Sequence, residues 1–271
     1  SNVIPRGDSY DQVFSEVREM FLQEIDYRLE LKHLNRFREL LNGDERYVLP
    51  KAFERYCTGK ILALEYLSGE RGDSPRVQAL PLNRRNALGR AFLDLYLREL
   101  VEFQLMQTDP HLGNYLIQID PVGDQDRLVL FDFGAVREVP DHFLKSYRHL
   151  MLGGYKRDRS LLLKGGQELG LVQPEDPDEL SQRYVDLCLM MTEPFNEENQ
   201  PYDWGLSDLP KRVATQATQL ALRHRLRAPP RELIFLDRKL GGVFIFMSVL
   251  KCVTSGRDLI ERTITHVTID L

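Results

Sequence analysis

An α+β fold made mostly of helices is what this sequence predicts, and three observations predict it. Two long stretches, 10–41 and 83–106, carry apolar residues at helical spacing. Two short apolar runs, "NYLIQID" and "RLVLFDF", flank the polar "PVGDQD" and read as a β-hairpin. Beyond Pro140 every periodic segment is helical. With 271 residues the chain is long enough for one large domain or two small ones, and either could bury a core.

In order along the chain, Val13, Val17, Phe21, Ile25, Leu29 and Leu34 line one face of a long amphipathic helix, in one piece or two, which Asn42-Gly43 stops. "RYVLPKAFERY" and "KILALEYL", joined by Cys57-Thr58-Gly59, predict an antiparallel strand pair. Gly69 and Gly72 loosen the chain into a linker. The stretch 83–106 has no proline and should be a central, mostly buried helix leading directly into "QTDPHLGN". After the hairpin, helices are expected near 141–155, 159–169, 178–192, 207–227 and 232–253, with the proline-containing "MTEPFNEENQPYDWG" as a loop. The closing "TITHVTIDL" alternates weakly, as an edge strand or a frayed tail.

Composition narrows the function. Apolar residues make up 42% and charged residues 28%, both ordinary for a globular protein. The net charge of −5 gives no general reason to expect nucleic acid. The Arg223, His224, Arg225 and Arg227 cluster reads as a solvated helix face. Three scattered cysteines form neither a disulfide framework nor a zinc site. The apolar run "LGGVFIFMSVL" is too short to span a bilayer and follows Asp237, Arg238 and Lys239, so it reads as a buried helix. The cysteine usage fits a reducing compartment.

The chemistry concentrates in "QTDPHLGN" and "LVLFDFGAVRE". Moving a terminal phosphoryl group demands charge neutralisation and in-line placement of the acceptor. Magnesium prefers hard oxygen ligands and takes one or two protein side chains plus phosphate oxygens and water. Asp132 and the amide oxygen of Asn114 suit that work. Asp109 is then the carboxylate that receives a proton from, or orients, the attacking hydroxyl or water. Gly113 and Gly134 allow sharp turns, and Pro110 fixes the backbone just past Asp109. His111 is expected to stabilise the loop rather than act as a base.

The Asp-x4-Asn spacing followed by Asp-Phe-Gly resembles the catalytic and metal-binding loops of the protein-kinase-like superfamily. More narrowly, "QTDPHLGN", "LFDFGAVRE" and "EIDYRLE" are similar to motifs of the UbiB family of atypical kinases, which act in ubiquinone biosynthesis. The resemblance implies a kinase-like C-terminal lobe over 68–271 and a partial N-terminal lobe over 1–67. By the same resemblance, Glu24 and Asp26 form a Glu-x-Asp pair on a nucleotide-facing helix, and Glu30 is the carboxylate that pairs with a nucleotide-clamping lysine. Leu64, Glu65, Tyr66 and Leu67 resemble the hinge that binds adenine through its backbone. ATP and magnesium are the implied cofactors. The implied partners are the nucleotide, an isoprenoid-quinone precursor or lipid, and a biosynthetic protein complex. A cytoplasmic or membrane-peripheral location is likewise expected only from the family resemblance.

The sequence departs from these families in two ways. The first lysine is Lys32 and only Gly7 precedes Gly43, so neither a Gly-rich covering loop nor a clamp lysine is present, nor is the family's Lys-x-Gly-Gln segment with its Ala-rich loop. The opening Ser1-Asn2 reads as the scar of tag removal. Either an N-terminally cut fragment, itself inactive, or a degenerate family member is expected, and the Ser1-Asn2 start favours the first. No Ala-Pro-Glu follows Asp-Phe-Gly, which disfavours peptide phosphorylation. The expected activity is ATP-dependent phosphotransfer to a small or lipid-linked acceptor, or ATP hydrolysis. Two alternatives remain: a small-molecule phosphotransferase of the choline or aminoglycoside kinase type, and a pseudokinase scaffold.

Overall fold

The computed structural model describes residues 26–123, 125–224 and 227–268. The predicted first helix lies in part outside this range. Its described portion, α1 (Tyr27–Leu40), starts where the Asp26 carboxylate accepts the Arg28 N–H at 3.1 Å, a side-chain N-cap. Leu34 and Phe37, one turn apart, bury the same face. The Phe37 ring lies 4.8 Å from that of Phe133, which ties α1 to the Asp-Phe-Gly triplet.

The expected strand pair around Cys57 does not form a ladder. Only β1 (Tyr47–Val48) is a strand, and the rest makes single antiparallel bridges, Ala52 to Leu64 and Thr58 to Ile61, around a 3-10 turn at Glu54–Tyr56. Pro50 offers no N–H to a ladder, and the turn takes up the residues that would have extended it. Gly69 packs against β-carbon and backbone atoms of Leu116 and Ile117, so the linker sits close on the sheet.

After a short helix, α2 (Pro75–Gln78), comes the central helix, α3 (Leu82–Val101), with Leu88, Phe92, Leu95 and Leu100 among its buried residues. It stops short of Met106. Gln104 adopts a left-handed φ of 48° and reverses the chain into β2 (Leu105–Gln107). The hairpin forms as expected, with β3 (Tyr115–Gln118) antiparallel to β4 (Arg127–Leu130) and β1 parallel to β4 on its other side. Next, β5 (Val136–Glu138) returns to pair antiparallel with β2. Thr108 extends that pairing, because its N–H and hydroxyl both donate to the Ala135 carbonyl, at 2.7 and 2.9 Å. The loops 108–114 and 131–135 are thus anchored at both ends by strand pairing, β3 with β4 and β2 with β5.

Five helices of the remainder lie within a few residues of expectation: α4 (Asp141–Lys156), α5 (Arg159–Glu168), α6 (Asp178–Met191), α7 (Leu209–Arg223) and α8 (Arg231–Val249). The stretch between α6 and α7 includes two 3-10 turns and β6 (Tyr202–Asp203), which pairs with β7 (Val253–Thr254). The closing segment is neither strand nor frayed tail up to Thr268; it belongs to α9 (Arg257–Thr268). Its buried stripe, Leu259, Ile260 and Ile264, begins ahead of the alternating stretch, and Thr263 and Thr265 return their hydroxyls to the carbonyls of Leu259 and Glu261 at 2.8 Å. Among the described residues, no helix is long and apolar enough to cross a membrane.

Helix α8 is buried along Leu233, Leu236, Val243, Phe246 and Met247. Phe246 stacks on Phe92 of α3 with ring centroids 4.2 Å apart. Gly242 faces Pro110, where any Cβ would overlap the proline ring, so the helix and the 108–114 loop approach to backbone distance. Between α3 and α8 lies an ion pair with both side chains 2% exposed: Lys239 Nζ is 3.1 Å from Glu99 Oε2. Lys239 also donates to Gln107 Oε1 at 3.2 Å and to the Tyr115 hydroxyl at 3.3 Å. Burial pushes Glu99 up to about 7 against the pull of Lys239. Burial also works against the charge on Lys239, but Glu99 and Tyr115 outweigh it and hold the ammonium above its usual range.

Removing one partner of a buried ion pair strands the other charge and costs about 3–5 kcal/mol. Lys239→Met is therefore expected to lower the urea midpoint by a corresponding amount, and adding Glu99→Leu is expected to recover part of the loss. Chemical denaturation of the single and double variants checks both.

Candidate functional site

One face of α1 holds the Asp-Phe-Gly triplet through residues 30, 33 and 37, one or two turns apart. Phe37 packs on Phe133. His33 Nδ1 lies 3.2 Å from the Phe133 carbonyl, and because a carbonyl can only accept, that nitrogen carries the proton. Burial lowers the His33 pKa, so the ring is neutral at pH 7. Glu30 reaches the same triplet. Its pKa is raised by burial first and by the Asp132 charge second, against a hydrogen bond from the Phe133 N–H. A Cβ on Gly134 would stand 3.4 Å from Asp132 Oδ1 and 3.6 Å from Glu30 Oε2, so both carboxylates crowd that glycine.

Asp109 is held from three directions. Its Oδ1 accepts from Arg238 Nη2 at 3.1 Å, its Oδ2 from Asn114 Nδ2 at 2.8 Å, and its carbonyl from Gln107 Nε2 at 2.8 Å. Gln107 Oε1 in turn accepts from the Tyr115 hydroxyl at 2.7 Å and from Lys239, so the buried ion pair supports the backbone of the 108–114 loop through two hydrogen-bonding side chains. His111 Nδ1 accepts the Gly113 N–H at 3.1 Å and shapes the turn, as its sequence position suggested.

Glu30, Asp109 and Asp132 line one cavity of about 670 Å³, with Tyr27, Leu62, Arg137 and Arg238 among the other walls. Three carboxylates face two guanidiniums there, so a polyphosphate is repelled unless it brings cations with it. No lysine is among the described residues that line it. Asp132 Oδ1 accepts the Gly134 N–H at 3.0 Å, which leaves Oδ2 as a further donor atom. Asn114 does not line the cavity itself. Its amide nitrogen is committed to Asp109, which leaves its carbonyl oxygen for a hard cation. No group of three or more His, Cys, Asp or Glu side chains able to hold a metal occurs among the described residues. The donors present fit an ion that takes most of its ligands from phosphate and water.

The other expected positions that are described lie apart from this cavity. Asp26 is exposed and caps α1 without lining it. Glu24 lies outside the described residues. Leu64, Glu65, Tyr66 and Leu67 line a second depression of about 320 Å³ with Pro50, Leu116 and Phe131, and Tyr66 is 90% exposed. Phe131 immediately precedes Asp132, so the two concavities adjoin through that backbone. Sequence reasoning missed His33, Arg137, Arg238, Lys239 and Glu99. The available signal was Asp237-Arg238-Lys239 opening an apolar run, since three successive charges on a helix project in three directions.

The fold and the loops define a protein-kinase-like domain. Residues 1–165 match the ABC1 atypical kinase-like domain, and the chain belongs to that family. It is 31% identical over 259 residues to "Atypical kinase COQ8B, mitochondrial" of Danio rerio, covering 96% of this chain and 40% of the relative. It is 32% identical over 260 residues to the Rattus norvegicus protein of the same name, covering 96% and 48%. The chain thus spans less than half the length of these curated relatives. A solved complex of Rv3197 with erythromycin from Mycobacterium tuberculosis shares the fold with a TM-score of 0.74 at 22% identity, covering 96% of this chain and 63% of that one.

Because the folded state raises the Glu30 pKa above 4.5, it binds that proton more tightly than the unfolded chain does. The associated stability is complete below about pH 4.5 and is lost as pH rises through the folded value. Glu30→Gln should therefore melt at nearly the parent temperature at pH 4 and above it at pH 7.5. Thermal unfolding across that range checks the sign.

Proposed function

We propose that this chain is the catalytic core of an atypical kinase or ATPase of the UbiB type that uses magnesium and ATP and supports ubiquinone biosynthesis. The observation that carries the reading is the meeting of Asp109 and Asp132 in one net-acidic cavity, with Asn114 bonded to the Asp109 carboxylate. Asp132 and the Asn114 carbonyl oxygen would hold magnesium, which when bound supplies neutralisation of the phosphate charge. Asp109 keeps a fixed orientation between Arg238 and Asn114, from which it orients an acceptor hydroxyl or water and takes its proton. Arg238 and Arg137 supply fixed positive charge to the same space.

The backbone of Leu64 to Leu67 would receive the adenine, with Phe131 linking that depression to the phosphate end. Glu30 is a half-buried carboxylate whose charge is disfavoured, which suits a partner of a clamp lysine. Glu24 and Asp26 keep the role of the Glu-x-Asp pair that the family resemblance implies. The short path from β5 through Pro140 into α4 leaves no long peptide-docking segment, which favours water or a small or lipid-linked acceptor. An isoprenoid-quinone precursor and a membrane-peripheral biosynthetic complex fit that acceptor.

Binding of a fluorescent ATP analogue to this chain is expected to require magnesium. Asp132→Asn should weaken it at least about tenfold and remove the magnesium dependence, the consequence of losing a charged ligand. Asp109→Asn should leave binding nearly intact while ATP turnover by the parent protein falls by about 10²–10⁴. Asp132→Asn that binds as the unaltered chain does would overturn the metal assignment. Rescue of ubiquinone-deficient cells by parent protein carrying Asp109→Asn would favour a non-catalytic scaffold.

A further inference from the structure

A second cavity, of about 380 Å³, lies in the helical region away from the nucleotide site. It opens between α3, α4, α6, α7 and α8, and its walls are overwhelmingly apolar, with Leu150, Leu180, Leu187 and Leu233 among them. One free carboxylate interrupts this surface. Asp237 of α8 lines the cavity and has no hydrogen bond or ion pair to any described residue. Asp237 is exposed on one side, yet the protein atoms packed on its other side push its carboxyl up to about 6. At neutral pH it is therefore mostly ionised.

Its polar surroundings do not neutralise it. Tyr96 and Tyr147 bond to each other, and the Tyr184 hydroxyl is buried without an oxygen or nitrogen partner, beside the Cys188 thiol. All four groups lie within the electrostatic reach of Asp237. The other charged side chain on the wall, Arg227, is committed to Asp176 at 2.6 Å. An unpaired carboxylate on the wall of an apolar, tyrosine-lined cavity is complementary to a cation on an apolar body, because the partly desolvated charge gains from a counter-charge and aromatic faces attract ammonium groups.

We infer that this cavity is a binding site for a lipophilic amine, whose ammonium group pairs with Asp237 while its hydrocarbon part fills the leucine-lined space. About a dozen water-sized groups fit the volume at about 30 Å³ each, so an eight-carbon chain is accommodated. The site is independent of the nucleotide reading, since none of its walls belongs to the Asp109 and Asp132 cavity.

Calorimetric titration of the 271-residue chain with octylammonium, octan-1-ol and octanoate tests it without nucleotide. Octylammonium should bind at least about tenfold more tightly than octanol, the scale of one charge-assisted hydrogen bond, and octanoate should not bind. Asp237→Asn should bring the amine to within about threefold of the alcohol and leave the alcohol unchanged. Leu180→Trp, or Cys188→Met if the first does not fold, should weaken both. Equal affinity for amine and alcohol in the unaltered chain overturns the inference, as does a preference that survives Asp237→Asn or binding that ignores the filled cavity. If Asp237→Asn does not fold, the three-ligand comparison on the unaltered chain decides alone.

Discussion

The position of Asp109 depends on a charge that never reaches water. Lys239 sits between Glu99, Gln107 and Tyr115, and Gln107 in turn holds the Asp109 carbonyl. A fully apolar filling of that space would leave the Gln107 amide and the Tyr115 hydroxyl short of partners, and a loop of Asp, Pro, His and Gly has little hydrophobic surface with which to fix itself. The ion pair therefore specifies the loop more than it stabilises the fold. It joins α3 and α8 to β2 and β3 at the point where the chain leaves the core for the cavity.

A second constraint sets the other wall. Asp132 and Glu30 crowd Gly134 from two sides, and α1 keeps them there through Phe37 in the core and His33 on the Phe133 carbonyl. The resulting pocket is over-supplied with negative charge in the folded state. Repulsion among these like charges would be relieved by a bound cation.

The sequence disclosed these parts unevenly. Helices α4 to α8 and the β3–β4 hairpin were legible because each carries its own apolar period and its own stop signals. The region around Cys57 was misread because "KILALEYL" has strand composition, yet Pro50 and the 3-10 turn leave it only isolated bridges. The closing helix is hidden in the sequence because its buried stripe begins at Leu259, before the weakly alternating "TITHVTIDL". Within the site, Asp109, Asn114 and Asp132 stood out by spacing along the chain. Arg238 did not, because its 3.1 Å contact with Asp109 joins positions 129 residues apart and only the packing of α8 on the loop creates it. Glu99 and Lys239 are each an ordinary charge in a helix until α3 and α8 meet.

Three neighbouring side chains on α8 are divided among three destinations: Asp237 to the apolar cavity, Arg238 to Asp109, and Lys239 to the buried network. Each step along a helix turns by about 100°. Losing a single residue ahead of this triplet would turn the Arg238 guanidinium among the leucines and the Lys239 ammonium toward Asp109, whereas gaining one would turn the Asp237 carboxylate toward Asp109 and the Arg238 guanidinium toward Glu99. The segment can accept altered chemistry at any one of the three positions more readily than an altered length, because an indel there would undo all three contacts at once without touching a single motif.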